Sequence, residues 1–218
     1  MNGLVLILGT VVAYLLGSIP TAVWVGKAHF GLDIRDYGSG NAGATNTFRV
    51  LGKKAGIFVM SIDILKGFAA TILPKMLLAE FDILASENQL IYLQILFGAA
   101  SVVGHIFPIF ANFKGGKGVA TLLGMVIAIN TIAASGCIAV FLLVFLTSKY
   151  VSLGSMLAAL AFPILLLSPF FNKHEPNPVM IGFGFVIFSL VVFTHQKNIR
   201  RLLKGEENRA NIKLRKNK

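Results

Sequence analysis

Val119–Thr147 reads VATLLGMVIAINTIAASGCIAVFLLVFLT, with Lys149 just beyond, and the number of helices it makes decides the fold. As one helix at about 1.5 Å per residue it would exceed about 40 Å, too long for a hydrocarbon core of about 30 Å. As two helices, broken near Asn130–Gly136, it supplies two short spans. The choice changes the parity of the membrane crossings, so the charges on either side arbitrate.

Further apolar stretches lie at Gly3–Gly26, Ala55–Ala79, Gln89–Ala111, Val151–Phe171 and Val179–Thr194. Lys and Arg mark cytoplasmic loops. The loop Lys27–Lys54 carries Lys27, Arg35, Arg49, Lys53 and Lys54, whereas Glu80–Asn88 holds Glu80, Asp82 and Glu87 and no base. Lys114 and Lys117 stand in the next loop, and a basic tail follows His195. One long helix would put that tail outside; two short ones put it inside. The expectation is therefore an all-α integral membrane protein with about seven transmembrane helices, N-terminus outside and C-terminus cytoplasmic. The loop around Lys173 and Glu175 then faces outward, as does Lys75; these are the exceptions to the charge pattern.

Composition agrees. Of 218 residues, 56% are hydrophobic and only 13% charged, against about a quarter charged in soluble domains. The net charge of +11 suits anionic lipid or anionic substrate. Nucleic acid is not expected as a partner, because no aromatic residues interleave the basic tail to stack on bases. The single cysteine, Cys137, sits in an apolar run and reads as a small buried hydrophobe. No Lys or Arg precedes the first stretch, which reads as a retained span rather than a leader.

Polar motifs interrupt this apolar chain. Gly38–Arg49 reads GSGNAGATNTFR. Its glycines, Gly43 among them, permit a concave backbone that presents N–H groups to an anion. Ser39, Asn41, Thr45 and Asn46 add neutral donors, and Arg49 a bidentate cation. A plain flexible loop has the same composition. Lys114–Gly118 reads KGGKG at the start of a short helix, where glycine amides, a helix N-terminus and two ammonium groups favour phosphate. It is not a Walker A loop, since Val119 supplies no hydroxyl after the Gly-Lys pair. A positive-inside loop with a helix breaker is the alternative. Thr194–Glu207 reads THQKNIRRLLKGEE, with His195 and Asn198 three apart on one expected helical face. His195 is either a base or an interfacial side chain. Asp63 and Lys66, spaced i, i+3 inside a span, are either functional or a self-satisfied ion pair. Ser152 is either a helix N-cap or a residue facing the site.

The segments GSIP at Gly17–Pro20, GSGNAGATN, GH-x-F-P from Gly104, FKGGKGVAT and H-x-x-N-I-x-R-L-L occur in this order from about Gly17 to about Glu206. Together they resemble the bacterial acyl-phosphate:glycerol-3-phosphate acyltransferase family, with Ala42 where that family often has Pro. The resemblance implies acyl transfer from acyl phosphate to sn-glycerol 3-phosphate, giving lysophosphatidic acid and phosphate, with no metal and no cofactor. It places Ser39, Arg49, Lys117, His195 and Asn198 at active-site positions, with Ser152 a further match. Gly115, Gly116 and Gly118 match the loop associated with glycerol phosphate, beside Lys114. The implied domain runs over 1–209, in a bacterial inner membrane with its site at the cytoplasmic face; 210–218 is a basic cytoplasmic tail. Acyl phosphate, glycerol phosphate and membrane lipid are the expected partners; no oligomeric state follows.

An acyl phosphate carries a good leaving group, so positioning and charge stabilisation can supply most of the catalysis. Arg49 and Lys117 are expected to hold phosphates, and Ser39 to stabilise developing charge. His195 with Asn198, or a phosphate oxygen of the substrate, takes the hydroxyl proton. A phosphate-ester transporter and a lipid-anchored scaffold are the competing readings. Transport sites tend to lie near the midplane, whereas these motifs gather at one face.

Overall fold

The computed structural model describes residues 3–80, 85–171 and 177–210, and among them every regular element is helical. The helices are α1 (Gly3–Gly17), α2 (Thr21–Phe30), α3 (Ala44–Val50), α4 (Lys53–Glu80), α5 (Glu87–Ile106), α6 (Val119–Ile129), α7 (Thr131–Ser148), α8 (Val151–Leu165), α9 (Pro178–Thr194) and α10 (Gln196–Leu203). The decisive stretch is two helices. Asn130 is extended, at φ −147° and ψ 92°, and separates α6 from α7. An Asn side chain competes for backbone hydrogen bonds, and Thr131 and Ile132 are β-branched, so the helix yields there.

Among the described residues, three helical stretches are long and apolar enough to cross a bilayer unaided: Lys53–Glu80, Glu87–Ala111 and Thr131–Ser148. Two further helix pairs are long and apolar enough only when taken together, and both are bent: α1 with α2 at 40° and α9 with α10 at 66°. Ser18, Ile19 and Pro20 interrupt Gly3–Gly26, because a residue before proline is driven out of helical geometry. Helix α9 stops at Thr194, so His195 is the hinge between two helices rather than part of one face. Helices α6 and α8 are shorter apolar helices.

The chain divides into two compact units, Met1–Thr131 and Ile132–Lys218. In the first, α4 packs on α5 and α6, and α1 on α5. Glycines set these distances. Gly67 abuts the Thr121 backbone and Gly124 the Ile64 backbone, so α4 and α6 cross without room for a methyl group at either point. Close backbone approach of this kind holds helices together where lipid removes the hydrophobic drive between them. Phe97, Ala13 and Ala70 form a core where α1, α4 and α5 meet. In the second unit α8 packs on α9, with Gly184 against Pro163, and Gly154 of α8 lies against Phe141 of α7. Cys137 is buried, as expected. Lys173, Glu175 and the tail 211–218 lie outside the described residues.

Candidate active site

In the first unit, Gly38 and Gly40 take left-handed conformations, at φ 61° and 72°, and fold the Gly38–Gly43 segment back over α3. Asn46, fully buried, holds it there. Its Oδ1 accepts from the Ser39 amide at 2.9 Å, and its Nδ2 donates to the carbonyls of Ile34 and Tyr37, each at 3.0 Å. The Asn46 side chain is thus occupied with the loop's own backbone and shapes the loop instead of reaching a substrate. Thr47, also buried, donates to the Gly43 carbonyl. Ser39, Thr45 and Arg49 are exposed, and Asn41 and Gly43 are half-buried.

Arg35 joins this loop to the next. Its guanidinium grips Asp33 through Nε at 2.9 Å and Nη2 at 2.6 Å, and Nη1 donates to the Ala111 carbonyl at 2.8 Å. That grip holds the Asp33 carboxyl well below the usual carboxylate range. Beyond Ala111 the chain reverses through Asn112 and Phe113, both left-handed at φ 55° and 57°. Such a conformation costs a non-glycine residue about 1–2 kcal/mol. The turn delivers Lys114, exposed, and Lys117, half-buried, to the start of α6.

One expectation is corrected here. The amides of Gly115 and Gly116 do not offer themselves to an anion. Gly115 donates to the Ile106 carbonyl at 3.2 Å and Gly116 to the His105 carbonyl at 3.1 Å, closing the end of α5. Cationic side chains and the first turn of α6, which opens after Gly118 in a left-handed conformation at φ 81°, remain for phosphate.

Beneath this loop lies a buried polar group. Lys66 Nζ meets Asp63 Oδ1 at 2.9 Å and donates to the Ile19 carbonyl at 2.9 Å, in the break between α1 and α2. Thr21 Oγ1 donates to Asp63 Oδ1 at 3.4 Å. His105 Nδ1 stands 3.5 Å from the same oxygen, long for a hydrogen bond. Sequence reasoning weighed Asp63 and Lys66 but missed His105, although the quoted GH-x-F-P segment contains it. A small cleft lined by Thr21, Ala42, Asp63, Lys66, His105 and Gly115 opens there.

The second unit gathers the third motif around a residue the sequence reading passed over. Glu207 Oε1 accepts from Ser152 Oγ at 2.8 Å and from Asn198 Nδ2 at 2.6 Å; Oε2 accepts from Arg201 Nε at 2.7 Å. Burial opposes ionisation of Glu207, but these donors outweigh it and hold its carboxyl below the ordinary range. Ser152 is therefore not an N-cap; Tyr150 holds that position. His195 is buried, and its Nδ1 lies 2.7 Å from the Val191 carbonyl. A carbonyl only accepts, so Nδ1 carries the proton and the basic lone pair of neutral imidazole falls on Nε2. Among the described residues no group of three or more His, Cys, Asp and Glu has metal-binding geometry.

The family model described as glycerol-3-phosphate acyltransferase matches residues 7–205. The glycerol-3-phosphate acyltransferase of Chlorobium phaeobacteroides (strain BS1) is 42% identical over 221 residues, covering 91% of this chain and 94% of that protein. The enzyme of the same description from Chlorobaculum tepidum is also 42% identical, covering 93% and 95%. Among solved structures, PlsY (YgiH), an integral membrane glycerol 3-phosphate acyltransferase, is similar in its glycerol 3-phosphate form with a TM-score of 0.80 at 40% identity. That match covers 94% of this chain and 96% of the other. The lysophosphatidic acid form gives 0.76 at 38% identity, covering 94% of each.

Proposed function

Because the chain belongs to the glycerol-3-phosphate acyltransferase family, we propose that it transfers an acyl group from acyl phosphate to sn-glycerol 3-phosphate. The C1 hydroxyl oxygen attacks the acyl carbonyl carbon, and the bond from that carbon to the bridging phosphate oxygen breaks. The products are 1-acylglycerol 3-phosphate (lysophosphatidic acid) and inorganic phosphate, and the reaction opens phospholipid synthesis. The observation that carries this reading is coverage: the family match runs from residue 7 to 205 and includes both cationic loops and the His195 motif.

Ser39, Arg49, Lys117, His195 and Asn198 are the residues assigned to the reaction. Arg49 and Lys117 hold phosphate groups by charge-assisted hydrogen bonds, with Lys114 and Gly118 beside them. Ser39, with Asn41, Gly43 and Thr45, stabilises charge developing on the carbonyl or leaving oxygen. His195 accepts the hydroxyl proton at Nε2, the nitrogen left basic by the Val191 contact; a substrate phosphate oxygen is the competing acceptor. Glu207 orients Asn198 and Ser152. No metal or cofactor has a part in this scheme.

The protein is an integral membrane protein with apolar helices. With α6 and α8 counted as short spans beside the three long helices and two bent pairs, the crossings number seven. An odd number puts the termini on opposite sides, and the basic tail then sets the C-terminus in the cytoplasm and the N-terminus outside, with the 1–209 body in a bacterial inner membrane and the motifs at its cytoplasmic face. Purified protein in detergent, incubated with acyl phosphate and labelled glycerol phosphate, should form labelled lysophosphatidic acid without any compartment. Binding without turnover would instead favour a transporter.

A further inference from the structure

We propose that His105, packed beside Asp63, is the positioning residue for the Lys114–Gly118 loop. The proposal rests on the acyltransferase reading for its kinetic arm only.

Asp63 and His105 are both almost fully buried in the first unit, on α4 and α5. An ionised carboxylate among apolar helices is costly unless paired, and a Lys partner alone would meet that need. Here Lys66 supplies the pairing charge at 2.9 Å, yet Thr21 and His105 also converge on Asp63 Oδ1. The imidazole points its other edge at the loop. A Cβ on Gly116 would collide with His105 Nε2, and one on Gly115 with the His105 carbonyl oxygen. That same carbonyl accepts the Gly116 amide at 3.1 Å. The backbone of His105 therefore holds Gly116 while its ring forms the surface on which Gly116 rests. Lys117 is the next residue. Asp63 Oδ1 flanks the ring at 3.5 Å, the ring fixes the height and tilt of Gly116, and Gly116 fixes where the side chain of Lys117 begins. Glycine is required at 115 and 116 because the α5 end is already there, a reason distinct from close approach of substrate.

The test uses full-length protein in detergent. His105→Gln keeps a buried polar side chain and leaves the Asp63–Lys66 pair intact. It should raise the KM for glycerol phosphate at least tenfold while changing kcat less than threefold. Hydrogen exchange of the peptide covering 113–118 should accelerate at least tenfold, with exchange in α4 and α5 unchanged. Gly116→Ala, whose methyl group displaces the ring, should give the same exchange pattern and is the second variant should His105→Gln fold poorly. Asp63→Asn should move the loop exchange in the same direction. Unaltered loop exchange in His105→Gln and Gly116→Ala would overturn the proposal. So would exchange that rises equally through α4, α5 and the loop, since that marks a merely structural pair. Absence of wild-type turnover would overturn the acyltransferase reading and leave the exchange result to judge the loop.

Discussion

Replacing Glu207 by glutamine keeps its shape and removes its charge. The Glu207 side chain is only 6% exposed and accepts from three donors, Ser152, Asn198 and Arg201. A glutamine oxygen serves one of the two carboxylate positions. Its NH₂ then faces either Arg201 Nε or the Asn198 NH₂, donor against donor, while the Ser152 hydroxyl can turn to accept. At least one charge-assisted hydrogen bond is lost, worth about 1.5–3 kcal/mol. Glu207→Ala loses all three, and breaking a buried pair costs about 3–5 kcal/mol; Arg201 is 33% exposed, so solvent screening places the loss near the lower end. The pH dependence carries a sign. Glu207 is held below its ordinary value, about 4.3, so the folded state binds this proton less readily than the unfolded state. Its stabilisation is complete above about pH 4.3 and fades as pH falls toward the folded value. Thermal unfolding of the purified protein in one detergent should place Glu207→Gln below wild type at neutral pH, with the gap narrowing below about pH 4.3. Equal stability at neutral pH, or a gap that does not change on acidification, would refute the reasoning.

Further expectations concern binding, base and topology. Arg49→Ala and Lys117→Ala should each lose a contact of about 1.5–3 kcal/mol, read as a roughly 10- to 100-fold fall in kcat/KM for the phosphorylated substrates. His195→Ala should reduce turnover by a factor of about 10² to 10⁴ and abolish the fall in rate on acidification, because a protonated imidazole cannot serve as base. His195→Gln retaining most turnover with the same acid limb would assign proton transfer to a substrate phosphate instead. In Cys137→Ala protein, single cysteines at Ser86 should label from outside, and those at Asn112 and Asn208 from inside; outside labelling at Asn208 would overturn the seven-span topology.

The sequence carried those features that depend on length, charge and local spacing. The break at Asn130 was legible because a single helix could not fit the bilayer, and the cationic loops stood out against an apolar chain. Features made by distant contacts were not legible. Glu207 lay in plain view in the third motif, but its partners Ser152 and Asn198 are 55 and 9 residues away. Gly115 and Gly116 looked like anion donors because nothing local revealed that the carbonyls of Ile106 and His105 would take their amides. His195 and Asn198 are both buried, but His195 stands at the 66° bend between α9 and α10, so the i, i+3 argument assumed one continuous helical face that the structure does not have. The bend at Ser18–Pro20 did leave a trace, since Ile19 precedes proline.

Donor identity tests the central claim most directly. Purified protein should be given labelled glycerol phosphate with acyl phosphate, acyl-coenzyme A or acyl carrier protein in separate reactions, and released inorganic phosphate should be measured alongside lysophosphatidic acid. The account predicts turnover with acyl phosphate alone, with one phosphate released for each lysophosphatidic acid formed. Turnover with either thioester donor and none with acyl phosphate would contradict it.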